Sequence, residues 1–244
     1  MQARVFAALI KHLHLERSKL VSATHHGGDA IFRPIITTSV CPLFECDLNG
    51  HKSDSTYNTD LDINRLHLLA TFFKSVLSPT KSNPTALGTL SIPLGGVSVI
   101  FKAEIKPYER YSISSRILTW DDKWLYIISH FTRYKKTIPG HSKSPVVASA
   151  ISKYVFKRKR LTIPPEQVLT ALHLLPARPH ERSGSNVFSA IEKDVITGAA
   201  TTEWTWDRIQ AEKASGYKIA SHFAALDQLH DATMVDTFKP LQTF

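Results

Sequence analysis

Cys46-Asp47-Leu48-Asn49-Gly50-His51-Lys52-Ser53-Asp54-Ser55-Thr56-Tyr57 is the densest polar stretch of the 244-residue chain, and one periodicity gives way to another across it. Upstream, between Pro34 and Cys46, the β-branched run Ile35-Ile36-Thr37-Thr38-Ser39-Val40 reads as a strand. Asn49-Gly50 is a turn signal. Downstream, Tyr57, Leu61, Leu68, Phe72 and Val76 recur with helical spacing until Ser78-Pro79 breaks the pattern, and Ser53, Asp54 or Ser55 can serve as N-cap. Leu66, Leu69 and Phe73 widen the apolar stripe, so the spacing predicts a helix buried on much of its surface.

Beyond this helix the period changes to two. Residues 85–94, 97–106, 109–120 and 123–134 each read as a strand, and their short junctions predict antiparallel neighbours. Trp120-Asp121-Asp122-Lys123-Trp124 reads as a hairpin turn flanked by packed tryptophans. After a polar loop with Pro139-Gly140, residues 149–162 form a final strand that carries Lys153, Lys157, Arg158, Lys159 and Arg160. Pro165 to Leu174 is a short helical patch, and Pro176 to Asn186 a surface loop. A terminal helix runs from Thr202 to about Asp231, with Gly216 as its expected kink. At the other end, Val5 to Ile10 suggests a short amphipathic helix and residues 15–34 a linker. The expected organisation is an N-terminal helix and linker (1–34), a main domain (35–162) and a C-terminal extension packed on it (163–244).

Composition narrows the function. A hydrophobic share of 43% with 21% charged residues fits a folded, soluble protein. Two cysteines, Cys41 and Cys46, are too few for a disulfide scaffold, and Asn83-Pro84-Thr85 carries the proline that forbids glycosylation, so a reducing, cytoplasmic setting is expected. No run approaches the roughly 20 apolar residues of a membrane span. The excess of 30 Lys and Arg over 21 Asp and Glu asks for an acidic partner. Tyr154 and Phe156 sit among the cations, but no nucleic-acid-binding module surrounds them, so nucleic acid is not the expected partner. The chain has no G-x-S-x-G, Walker A, G-x-G-x-x-G or H-E-x-x-H motif, and neither a metal nor a cofactor is expected.

Chemistry is expected at the hand-over from strand to helix. Amides of a first helical turn lack internal partners and carry partial positive charge, so they can hold an oxyanion while a carboxylate on the preceding turn attacks or activates water. Asp47 and His51 are the candidate reactive groups; the same residues also suit an ordinary helix cap and tight turn. Cys46 reads as a structural thiol.

Asp47-Leu48-Asn49-Gly50-His51-Lys52-Ser53, Ser55-Thr56-Tyr57 and Asp60-Leu61-Asp62 resemble the D-x-x-G-H-x-x-x-x-x-Y signature of hotdog-fold thioesterases of the 4-hydroxybenzoyl-CoA thioesterase type, and more closely their fungal thioesterase-like branch. A second block, Gly95-Gly96-Val97, Phe101 to Tyr108 and Ser115 to Tyr126, carries the same likeness. The resemblance implies an α+β hotdog fold, in which a long central helix is wrapped by a curved antiparallel sheet, here with an extra C-terminal helix. It also implies a homodimer whose acyl-CoA or acyl-carrier thioester sites lie between protomers. Carried over, Asp47 is nucleophile or general base, and Gly50, Ser53, Ser55, Tyr57 and Asn58 surround the oxyanion and substrate. Asp54 stands where relatives usually have Asn, and Asn58 where they prefer an aromatic residue. A second carboxylate beside Asp47 would also suit a dehydratase, cyclase or isomerase using Asp47, His51 or Asp54 as acid and base. A non-catalytic acyl-binding protein is the third reading. Lys157, Arg158, Lys159 and Arg160 are candidate contacts for carrier phosphates, or else a charged edge strand.

Overall fold

The computed structural model describes residues 30–78, 87–133, 145–176 and 204–226. At its centre is the expected helix, α1 (Asp54–Leu77), which ends at Ser78 as the following proline requires. Strands β1 (Ile35–Val40), β2 (Leu94–Phe101), β3 (Arg110–Trp120), β4 (Trp124–Arg133), β5 (Val146–Arg158) and β6 (Leu161–Ile163) form one antiparallel sheet in the order β1-β3-β4-β5-β2, with β6 on the far end of β5. Helices α2 (Pro165–Ala171) and α3 (Trp206–Ala224) complete the described chain. A helix wrapped by a curled antiparallel sheet, with a further C-terminal helix, is the α+β hotdog arrangement expected from the sequence.

Alternation along β3 shows how the sheet meets the helix. Tyr111, Ile113, Ser115 and Ile117 are buried, whereas Ser112, Ser114 and Arg116 are only half-buried. After a register shift between Ile117 and Thr119, both faces are buried, because α3 covers the outer face there with Ala220 and Phe223 against Leu118 and Tyr126. On the inner face, one cluster surrounds the start of α1 with Tyr57, Leu61, Tyr111, Phe131 and Ala148. A larger one surrounds its end with Leu68, Phe73, Val76, Trp120 and Phe156. Burying each such large side chain contributes about 1.5–3 kcal/mol, which fixes the helix along the sheet.

Several expectations are corrected. β2 does not neighbour β3: it pairs with β5, while β3 pairs with β1. The connection between them crosses the end of the sheet, held by Lys102 and Ala103 N–H to the Val147 carbonyl and by Tyr108 N–H to that of Cys41. Of the strand expected at 85–94, residues 87–93 form no strand and Leu94 opens β2; Leu87 and Leu90 are buried in the core, and Ser91 makes a single bridge to Lys157. Residues 149–162 are two strands folded back at Lys159 and Arg160, and β5 is an interior strand rather than an edge. Ile31 and Phe32, placed in the linker, are buried in a 3-10 turn, Ala30–Phe32. α3 continues through Gly216, and a Cβ there would lie 2.3 Å from the Leu118 carbonyl oxygen, so glycine allows helix and sheet to touch. Expectations for residues 1–29, for Pro139-Gly140, for the loop beyond Pro176 and for the chain beyond Leu226 fall outside the described residues. No helix among the described residues is long and apolar enough to cross a membrane.

Candidate active site

The Asp47 segment is a small hairpin. Cys46 and Lys52 form an antiparallel bridge, Asp47 N–H donates to the His51 carbonyl at 2.9 Å, and Gly50 N–H donates to the Asp47 carbonyl at 3.1 Å. Gly50 has φ +76°, and a Cβ would meet nothing within 4 Å, so the backbone conformation rather than space calls for glycine. Asp47 Oδ1 accepts from Asn49 N–H at 2.9 Å. Its Oδ2 lies 3.4 Å from His51 Nδ1, and the two side chains are 31% and 29% exposed. One oxygen therefore shapes the turn, and the other is available beside the imidazole.

Helix α1 begins next to this hairpin. Ser53 stands at the N-cap without a side-chain capping bond, its Oγ 3.1 Å from that of Ser55. Ser53 N–H donates to the Glu45 carbonyl at 2.8 Å, and Thr56 N–H to the Ser53 carbonyl at 2.9 Å. The amides of Asp54 and Ser55 have no acceptor among the described residues, which leaves them as the donors that the helix N-terminus offers to a ligand. Asp54 and Asn58 are exposed, and no hydrogen bond or ion pair among the described residues joins Asp54 to Asp47 or His51. Tyr57 turns inward: its ring packs 5.0 Å from Phe101 and 4.9 Å from Phe131, and burial pushes its hydroxyl up to about 12. It supports the turn from below instead of presenting its hydroxyl at the surface.

Under the hairpin lies a group that sequence reasoning missed. Lys52 is buried, with Nζ 2.7 Å from Glu45 Oε2 and 2.8 Å from Asp60 Oδ2, and the Tyr111 hydroxyl donates to the same Asp60 oxygen. Lysine and aspartate are usually surface residues, and no sequence pattern marks this trio as buried; only the sheet brings Tyr111 to it. Beside it, the sulfurs of Cys41 and Cys46 lie 3.6 Å apart, and burial, then the hydrogen bond to Cys46, push the Cys41 thiol up to about 12. Among the described residues no group of three or more His, Cys, Asp or Glu is arranged to hold a metal ion.

The cationic run is divided. Lys153 is buried under α3, its Nζ 4.8 Å from the Trp124 ring and 5.5 Å from Phe223. Lys157 donates to Thr162 Oγ1 at 2.5 Å, and Arg158, Lys159, Arg160 and Leu161 line an open cavity of about 490 Å³ at the β5–β6 turn. Phe131 and Ala148 pair beside Tyr57 at one end of the sheet. At about 3.3 Å per residue, β5 carries the basic turn about 30 Å away, to the other end. The structure therefore does not bring these cations to the Asp47 of the same protomer.

Residues 41–172 match the model of the thioesterase-like superfamily, and they include the hairpin, α1 and the whole sheet except β1. The chain belongs to the thioesterase-like superfamily. It is 38% identical over 252 residues to thioesterase poxG of Penicillium oxalicum, covering 94% of this chain and 79% of that protein. It is 34% identical over 253 residues to the probable thioesterase atnL of Emericella nidulans, covering 93% and 79%. Thioesterase lcsJ of Purpureocillium lilacinum is 33% identical over 228 residues, covering 83% and 70%. The likeness read from the Asp47 to Tyr57 motif is thus that of a family of acyl thioester hydrolases, in its fungal branch.

Proposed function

We propose that this thioesterase-like enzyme hydrolyses an acyl or polyketide thioester of coenzyme A or of a phosphopantetheine carrier, in a cytoplasmic pathway of specialised metabolism. The observation that carries the site assignment is the part-exposed Asp47 carboxylate beside a helix N-terminus whose Asp54 and Ser55 amides have no acceptor among the described residues. Asp47 activates water, or attacks the carbonyl itself to form a short-lived anhydride that water resolves; in both routes the Asp54 and Ser55 amides hold the oxyanion and the thiolate departs. His51, 3.4 Å from Asp47, orients that carboxylate. A dehydratase, cyclase or isomerase using Asp47, His51 or Asp54 as acid and base is the second reading; the imidazole 3.4 Å from Asp47 supports it, and product formation without thiol release would distinguish it.

The same proposal includes a two-fold dimer. β2 is paired on one side only among the described residues, with Val97, Ile100 and Phe101 exposed. Antiparallel pairing of two β2 strands would set the basic β5–β6 turn of a second copy at the Asp47 end of the first, where carrier phosphates need cations. With a panel of acyl-CoA thioesters and a thiol reagent, the wild-type protein releases coenzyme A and Asp47→Asn lowers kcat by at least about 100-fold. Unchanged turnover in Asp47→Asn would refute the assignment of Asp47.

A further inference from the structure

Lys52 is a costly residue to bury, and stability alone is a weak reason for it. Two carboxylates and an ammonium taken out of water lose most of their mutual attraction to desolvation, so neutral, well-packed replacements are often as stable. What the trio does achieve is geometric. Lys52 closes the Asp47 hairpin: its N–H donates to the Ile105 carbonyl at 2.8 Å, and it bridges Cys46 across the base of the turn. Its Nζ then reaches both walls of the site, Glu45 in the turn before Asp47 and Asp60 in the second turn of α1. Glu45 is also tied to the helix start, since its carbonyl accepts from Ser53 N–H at 2.8 Å. Asp60 is fixed from the sheet side by Tyr111. The Tyr57 and Tyr111 rings stand 5.6 and 5.3 Å from Nζ, and the side chain is shielded from bulk solvent.

We propose that Lys52 is the positioning residue of the site: its ammonium, shared between Glu45 and Asp60, sets the distance between the Asp47 carboxylate and the amides that open α1. The inference rests on the reading of Asp47 as the reacting carboxylate. Displacement of a reacting group by about 1 Å costs on the order of 100-fold in rate, so a clamp on this spacing acts on the chemical step more than on substrate binding.

The test compares Lys52→Met with the neutralised trio Lys52→Met/Glu45→Gln/Asp60→Asn, which removes all three charges of the cluster together. On benzoyl-CoA and decanoyl-CoA, both variants lose about 10- to 100-fold in kcat while KM stays within about twofold, and the trio variant melts close to wild type. Amide hydrogen exchange at Asp47, Gly50 and Lys52 speeds up in both while the central strands β3 to β5 keep their protection, a readout that needs no substrate. Recovery of kcat together with stability in the trio variant would mean that the lysine only balances charge, and the proposal falls. It falls equally if KM alone changes, if hairpin exchange is unaltered, or if neither variant folds. Asp47→Asn in the same assay separates the two claims: full activity there defeats the reading of Asp47, whatever Lys52 does to the exchange of the hairpin.

Discussion

At Gly50, φ +76° and open space around the missing Cβ isolate backbone conformation from packing. Gly50→Ala therefore adds no clash and costs about 1 kcal/mol of stability, from placing an L-residue in the left-handed region. Because the Gly50 N–H closes the turn on the Asp47 carbonyl, the same change is expected to lower kcat several-fold. Urea unfolding and thiol-release kinetics on one preparation read both effects. Asp47, Gly50 and His51 were legible in the sequence because a tight turn ahead of an amphipathic helix leaves a local signature of residue type and spacing. The Lys52, Glu45, Asp60 and Tyr111 group was not, since its members come from four elements and their burial depends on tertiary packing. Tyr57 was legible as the first residue of the apolar helical stripe, and it is buried against the rings of Phe101 and Phe131.

Among the elements, α1, β3 and β4 keep close to their expected ranges, and the Trp120 to Trp124 hairpin forms with Asp121 Oδ1 accepting from Lys123 N–H at 2.8 Å and Trp124 N–H at 2.6 Å. Pairing was less legible than the strands themselves. Short junctions suggested that β2 lies beside β3, yet residues between them pass over the end of the sheet, and a junction's length does not reveal that path. The contact of α3 with the sheet was hidden because a glycine in a helix reads as a weak point from propensity alone. Gly216→Ala tests the corrected view. A Cβ 2.3 Å from the Leu118 carbonyl must push the helix outward, and the expected loss is about 1–3 kcal/mol, seen as a lower Tm with β3 to β5 still protected from hydrogen exchange. An unshifted Tm would show that α3 has room to spare.

For the whole molecule, the proposed dimer makes the exposed β2 edge a functional surface. Ile100 is 71% exposed on that strand, and Ile100→Lys places a charge where two edges would pair. The variant is expected to elute as a monomer in size-exclusion chromatography at concentrations where the wild-type protein is a dimer, and to show a raised KM because carrier phosphates lose the second copy's cations. A wild-type monomer would remove the two-fold arrangement and leave the basic turn without a role in the site. The order β1-β3-β4-β5-β2 has a kinetic consequence as well. β3, β4 and β5 are sequence neighbours and can pair early, whereas β1, β2 and α3 all reach back across long stretches of chain, and contacts of that separation close slowly. The Asp47 hairpin hangs between β1 and α1, so the reactive end of the protein is expected to be completed late in folding, after the central sheet has formed.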